Sequence, residues 1–482
     1  MTNIKAWFKE NSKYLFIVFA FLVFLSTFTN LDQDVYWHLK NGESLLQHGM
    51  DGQDYFSYWG GNFVSHEWLY DIFLHVLYQI DGLRLIKLIS FIAIGASLFM
   101  SLKVAQKKRN SSLFIYLIPI IIWATSRILL EARPQIASLF FFCLSIYILE
   151  HNKHFWLLPV ASLLTVNLHG GMAFLVVLIP VLYFISHIFD EEVIDTKYLK
   201  KLGLTILSML LTLGITPYGF ESVTYGIGYP EWTYDRIAEW QVIIQDSGDI
   251  WLLFLMLASL AAMAYTKKAK LKDILFMSMG LMLTFIHLRM ALIMVPIYIM
   301  YACPYLAETF KSITERFNFP KIKLPVKIDI NILLVVMVIL CGYNTYNIDL
   351  ETIEKTANSS PVIIKNYIEE NNIDIENNIM YNDYGYGGYF IFNNYPVFVD
   401  GRVDVYTEEY GNKPVLIDYF KVWDVTDELN DIIEKYNIKY WAIAYDEPLY
   451  HHLVENDIAE ILVEDSKYAF LKTIEKEVVA ND

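Results

Sequence analysis

Long apolar runs separated by short polar ones fill the first 346 residues. A membrane-spanning helix needs roughly 17–25 predominantly apolar residues. Runs that meet or approach this length lie near 14–30, 84–103, 111–129, 134–150, 155–169, 171–189, 202–217, 250–266, 272–288, 290–308 and 328–346. They predict a polytopic α-helical membrane protein with about eleven transmembrane helices. The stretch 67–80 is also apolar but carries Asp71 and His75. It reads as an amphipathic helix lying at the interface, not as a span.

Beyond residue 346 the rhythm changes. Ser360-Pro361 reads as a helix start, a cap residue before a proline in the first turn, with the helix running to about Asn371. Short runs at 378–381, 389–392 and 397–399, broken by Gly, Asn and Pro, read as strands. Helical patterns follow near 414–421, 427–436 and 447–455, with strands at 440–444, 459–463 and 468–472. This alternation favours a small α/β sheet. The predicted organisation is a transmembrane domain at 1–346 with an outer loop at 31–83, then an α/β domain at 347–482.

Charge divides the chain at the same place. The 482 residues carry a net charge of −16. From residue 349 onward there are 28 acidic and 10 basic residues, and before it 25 and 27. The acidity belongs to the C-terminal domain, and the basic footprint of a nucleic-acid partner is missing. With the N-terminus in the cytoplasm, twenty Lys and Arg of the membrane part fall on the inner side and seven on the outer, as the positive-inside rule requires. An odd helix count then leaves the acidic domain extracytoplasmic, on a plasma-membrane protein. Three lysines precede the first run without a small-residue cleavage site, so it reads as a retained anchor. Cys143, Cys303 and Cys341 all lie in apolar runs, so no disulfide framework supports the outer domain.

Ionisable residues at membrane depth are costly and usually functional. Under this topology they collect at outer helix ends. Asp32, Asp34 and His38 follow the first run, with Tyr36 and Trp37 between them; these aromatics suit an interfacial belt or a sugar ring. A carboxylate there can take a proton from a hydroxyl, and the Asp32/Asp34 pair can share a divalent cation such as Mg or Mn. His66-Glu67 offers an acid–base pair or a helix cap. Arg133 precedes Pro134 at the start of a span, where its planar fork suits a phosphate. Asn167 and His169 precede Gly170-Gly171, which permits a tight reversal. Glu239 and Arg289 complete the set, and Arg289 is a second candidate for the phosphate.

The order of these motifs carries a resemblance. D-x-D-x-x-W-H-L at 32–39 is followed by D-x-F-S-Y at 54–58, H-E-W-L at 66–69, R-P-Q at 133–135 and N-L-H-G-G at 167–171. P-Y-G at 217–219, E-W at 239–240, G-G-Y-x-I-F at 387–392 and P-V-F-V-D-G-R-x-D-x-Y at 396–406 complete the series. It resembles a bacterial and archaeal group of multi-pass proteins of the GT-C glycosyltransferase superfamily. Their plan is similar to that of protein mannosyltransferases, lipid A aminoarabinose transferases and oligosaccharyltransferase catalytic subunits. The resemblance implies a polyprenyl-phosphate-linked sugar donor and a catalytic acid just after the first helix. Carried over, that is Asp32 or Asp34, with Asp34 favoured as base. The acceptor is an envelope glycan, glycolipid or protein, and the other partners are membrane lipids. Asp383-Tyr384-Gly385 is similar to part of an oligosaccharyltransferase signature, but its two tryptophans are Tyr381 and Asn382 here. Peptide recognition is therefore not inferred.

Two other classes compete with the transferase. A transporter for a lipid-linked substrate needs polar groups at midplane, whereas these lie at outer ends. A non-catalytic assembly or sensor protein predicts that the outer cluster tolerates substitution. The Asp400-Gly401-Arg402 turn is either part of the site or a structural turn held by an internal ion pair.

Overall fold

The structure is a computed structural model that describes residues 2–26, 33–108, 132–225, 231–237, 250–286, 290–317, 330–347 and 360–475. It opens with helices α1 (Thr2–Ser26), α2 (Asp34–His48) and α3 (Trp68–Lys108). The chain forms two compact units: Met1–Thr29 with Leu83–Ile348, and Asn30–Gly82 with Asp349–Asp482. The outer loop expected within a transmembrane domain thus clusters with the C-terminal domain. The boundary falls inside α3, where Asp81 and Gly82 leave helical geometry. Gly82 has φ +58°, which glycine tolerates without steric cost. This break separates the expected interfacial helix from the span that follows.

In the first unit the elements are almost all helical. Among the described residues, Trp68–Lys108, Gly170–Asp190 and Ala291–Arg316 are long and apolar enough to cross a membrane. Gln135–His151, Leu157–Leu168, Phe254–Thr266 and Ile332–Tyr346 are apolar but have only 10–17 residues. At about 1.5 Å per residue they fall short of a hydrocarbon core of roughly 30 Å. By that measure the expected count is not reached; the run at 111–129 lies outside the described residues. Helix α1 packs along Ile330–Tyr346, and Asn344 donates to Ser26 Oγ at 2.9 Å. Lys108 and Lys272, which the charge pattern assigns to one side, meet in one buried network. Lys272 pairs with Glu150 at 2.7 Å, Tyr183 donates to the same carboxylate, and Lys108 pairs with Asp273. Each buried charge there is compensated, as burial demands. All three cysteines are buried and free.

The second unit is built on a four-stranded sheet in the order β1-β2-β4-β3. Its strands are β1 (Met380–Asn382), β2 (Tyr440–Ala444), β3 (Ala459–Glu464) and β4 (Tyr468–Thr473). β1 and β2 are parallel, which needs a long crossover. Helices Val415–Trp423 and Leu429–Tyr436 lie in that crossover. β3 and β4 form a hairpin turned by Asp465, whose carboxylate accepts from the backbone N–H of Lys467 and Tyr468. Trp441, Tyr381 and Tyr419 form the aromatic centre, with the two tyrosine rings stacked at 5.1 Å.

Three sequence readings change here. Residues 389–392 are not a strand but lie in the Gly387–Phe392 helix. Their aromatic and β-branched character suits either state, and tertiary packing decides. Val397 pairs with Ser57 as an isolated parallel bridge outside the sheet. The helix expected from Ser360-Pro361 begins at Val362, and Ser360 does not cap it. The buried Ser360 hydroxyl instead meets Tyr36 Oη at 3.2 Å.

Helix α2 has no counterpart among the expected helices. It packs on Gly387–Phe392 at a separation only glycine permits. A Cβ on Gly388 would lie 2.2 Å from the Gln33 carbonyl oxygen, and one on Gly387 2.5 Å from that of Val399. Tyr36 fills the seam, edge-on to Tyr389 at 5.7 Å and near Phe392 at 5.3 Å. Tyr36 and Trp37 are buried, so neither belongs to an interfacial belt.

Gly388→Ala should therefore lower the stability of the second unit by on the order of 1–3 kcal/mol, the usual cost of overpacking. Gly203→Ala, where a Cβ meets nothing within 4 Å, serves as the control. Thermal melts of the purified chain in detergent, read with limited proteolysis of the 30–82 segment, compare the two.

Candidate functional site

The site in the second unit starts from one buried arginine. Arg402 Nε donates to Asp400 Oδ1 at 2.9 Å and Nη2 to Asp400 Oδ2 at 2.6 Å. Nη1 donates to Asp54 Oδ1 at 2.8 Å. Phe56 and Phe63 flank the guanidinium, each ring centroid 5.0 Å away. Tyr406 Oη donates to Asp400, and Ser57 Oγ to Asp54. Burial alone would raise the Asp54 pKa, but the adjacent Arg402 and these donors hold it below the ordinary carboxylate value. This ion pair ties the segment after α2 to the C-terminal domain. Around it Tyr58 N–H donates to the Val397 carbonyl at 3.1 Å and Trp59 Nε1 to that of Phe398 at 2.8 Å.

The residue before Arg402 meets the expected base. An ideal Cβ on Gly401 would lie 2.3 Å from Asp34 Oδ1 and 3.3 Å from Trp37 Nε1. Only glycine lets this backbone approach the carboxylate so closely. Arg402 makes the internal ion pair of the structural reading, and the Gly401 backbone lies against Asp34. Asp34 is the first residue of α2, where a carboxylate is favoured by the helix dipole.

One turn along, His38 organises a buried polar network. Its Nδ1 lies 2.6 Å from Asp71 Oδ1, and its Nε2 lies 3.8 Å from Glu67 Oε2. Asn41 donates to Asp71 Oδ2 at 2.6 Å, and Ser65 Oγ donates to the same oxygen at 3.1 Å. Burial works against a charge on His38. The Asp71 carboxylate, helped by Glu67 and Asp34, overcomes it and raises the pKa above 6.5. The Trp37 indole stacks on this imidazole with centroids 3.7 Å apart, so the network fixes Trp37 beside Asp34. Trp37 Nε1 and Gln33 Oε1 are buried and make no hydrogen bond among the described residues.

Of the residues read from the sequence, Asp34, Trp37, His38, His66 and Glu67 come together in this unit. His66 is partly exposed, with Nε2 3.9 Å from Glu67 Oε1. Arg133, Asn167 and His169 belong to the first unit. There Ser138, in the first turn after Arg133-Pro134, lies 2.8 Å from His169 Nδ1. Asn167 donates to the Leu163 and Ile215 carbonyls at 2.8 and 3.0 Å, joining two helix ends. Asp32, Glu239 and Arg289 lie outside the described residues. Among the described residues no three His, Cys, Asp or Glu side chains are placed to hold a metal ion.

Asp71, Asn41 and Gln33 have roles that sequence reasoning missed. Asp71 is 1% exposed. A lone carboxylate in an apolar run was a signal, but it pointed to an interfacial helix as readily as to a histidine partner.

The fold these units define is shared with a protein of known structure. It is shown by the archaeal oligosaccharyltransferase AglB from Archaeoglobus fulgidus, solved in complex with an inhibitory peptide and a dolichol-phosphate. The likeness covers 91% of this chain and 70% of that one, with a TM-score of 0.54 and 14% identity. Another structure of an Archaeoglobus fulgidus oligosaccharyltransferase, tethered to an acceptor peptide containing the NVT sequon, covers the same shares at 12% identity and a TM-score of 0.49. No family model and no curated protein matches the chain.

The His38 network carries a pH signature. Its folded pKa lies above the 6.5 of the unfolded chain. Its contribution to stability is therefore full below that value and fades as pH rises through the folded pKa. Melting temperatures measured from about pH 6 to about pH 9 should fall with pH in the wild type. His38→Gln should melt lower at the acid end and lose this part of the slope.

Proposed function

We propose that this chain is a membrane glycosyltransferase acting on the extracytoplasmic face. It transfers a sugar from a polyprenyl-phosphate-linked donor to an envelope glycan, glycolipid or protein. The observation that carries the reading is the placement of Asp34. This carboxylate opens α2, is backed by the Gly401 backbone, and lies beside the buried N–H of Trp37, which makes no hydrogen bond among the described residues. The dolichol-phosphate in the AglB complex is a carrier of the class this reading requires.

In the proposed reaction Asp34 takes the proton of an acceptor hydroxyl. The oxygen attacks the anomeric carbon, and the bond from that carbon to the carrier's phosphate oxygen breaks. The phosphate leaves with the electron pair, and the anomeric centre inverts. This needs one base, unlike the paired carboxylates of glycoside hydrolysis. Arg133 or Arg289 receives the departing phosphate, since a guanidinium matches two phosphate oxygens at once. Trp37 Nε1 donates to a hydroxyl of the bound substrate, and His38 holds the indole in place. Asp32 and Asp34 would be the residues to hold a Mg or Mn ion, which when bound would neutralise phosphate charge. The N-terminus is cytoplasmic in this reading, and the acidic second unit faces the acceptor side.

Asp34→Asn should lower transfer by about 10²–10⁴-fold, the usual worth of a positioned general base. Trp37→Phe keeps the ring and removes one donor, so it should cost roughly tenfold. Mass spectrometry of envelope glycans and glycolipids from a gene-deleted host checks both, with variants expressed at wild-type levels. A sugar restored equally by wild type and Asp34→Asn would remove Asp34 as the base.

A further inference from the structure

The second unit contains a cavity that the Asp34 site does not use. Its volume is about 530 Å³, inside the range of small-molecule sites. One wall is the C-terminal half of α2, where Lys40, Glu43 and Gln47 recur at helical spacing. Phe56 and Tyr58 line it from the clamped segment, and Asn394 and Tyr395 from the opposite side.

Its chemistry selects among ligands. The Tyr55 ring is stacked on His48 with centroids 4.5 Å apart and an interplanar angle of 20°. Tyr55 is still 48% exposed, and its hydroxyl is engaged by Asp51. It is therefore a held aromatic platform, not a freely turning side chain. Lys40, the single Lys or Arg among the described lining residues, is neutralised by Glu43 at 2.6 Å, and Glu376 adds a second carboxylate. With its lysine paired and two carboxylates on the wall, an anion such as phosphate is disfavoured. What remains is an aromatic face ringed by carboxylate, amide and hydroxyl groups. The C–H face of a pyranose covers such a ring, and its vicinal hydroxyls donate to carboxylates and pair with amides.

We infer that this cavity is a neutral-carbohydrate subsite of the second unit, separate from Asp34, that holds one or two pyranose rings. The inference extends the glycosyltransferase reading, but binding here does not depend on the chemistry at Asp34.

The probes are methyl hexosides and methyl N-acetylhexosaminides. Saturation-transfer NMR is run on the full chain in a detergent without a sugar headgroup. Wild type should saturate the pyranose ring protons of at least one probe. Tyr55→Ala should weaken that binding by about threefold to tenfold, the worth of one aromatic contact. Gln47→Ala, at an exposed position, should weaken it while leaving the melting temperature unchanged. Asp34→Asn should bind as wild type does, even where sugar transfer is lost, so this proposal and the catalytic one fail separately. In transfer assays, inhibition by the glycoside that competes with acceptor assigns the ring to the acceptor, and competition with donor assigns it to the donor glycan. No saturation transfer from any glycoside overturns the inference. So does binding indifferent to both Tyr55→Ala and Gln47→Ala, binding lost in Asp34→Asn, or displacement by inorganic phosphate.

Discussion

The second unit depends on burying one guanidinium. Taking Arg402 and two carboxylates out of water costs several kcal/mol per ion. That cost is offset only because Asp400 and Asp54 satisfy the fork from different segments. The fork's geometry fixes both partners at once. Asp54 belongs to the segment after α2, and Asp400 to the C-terminal domain, 346 positions later. Removing either partner would strand a buried charge, an outcome that typically costs about 3–5 kcal/mol. The ion pair therefore specifies which segments associate more than it adds net stability. The bridge between Ser57 and Val397 and the Trp59 contact to Phe398 follow from it.

The same clamp reaches Asp34 through the chain. Gly401 lies between Asp400 and Arg402, so the ion pair fixes its backbone. Asp34 is held from the other side by α2, whose packing rests on Gly388. Asp71, Asn41 and Ser65 hold His38, and His38 holds Trp37. Each link is buried, so a shift in one has no solvent into which it can relax. Such support from neighbouring side chains holds a carboxylate within the tolerance that the role proposed for Asp34 requires.

Much of this was legible in the sequence. The sheet strands β2, β3 and β4 fall where alternation and turn residues place them, within a residue or two at their ends. Asp34, Trp37, His38 and Glu67 were singled out as chemistry-bearing and do gather. What could not be read was the partition of the chain. Hydropathy assigns 31–83 to the membrane part because that loop lies between two apolar runs. Its tertiary partner is decided by Arg402, more than 300 residues away, and no local pattern encodes that pairing. Helix α2 was hidden for a related reason. Its mixed sequence, DVYWHLKNGESLLQH, has no clean apolar stripe, since its buried face is filled by Tyr36, Trp37, His38 and Asn41. The Gly387–Phe392 helix shows the converse, an apolar run whose local preference yields to packing.

Electrostatics gives the partition a further meaning for the proposed reaction. Residues 30–82 carry eight acidic and one basic residue, and residues 349–482 carry 28 and 10, which together give the second unit a net charge of −25. The rest of the chain is then net +9. A field of that sign repels free phosphate and anionic acceptors from the second unit and tolerates neutral or cationic ones.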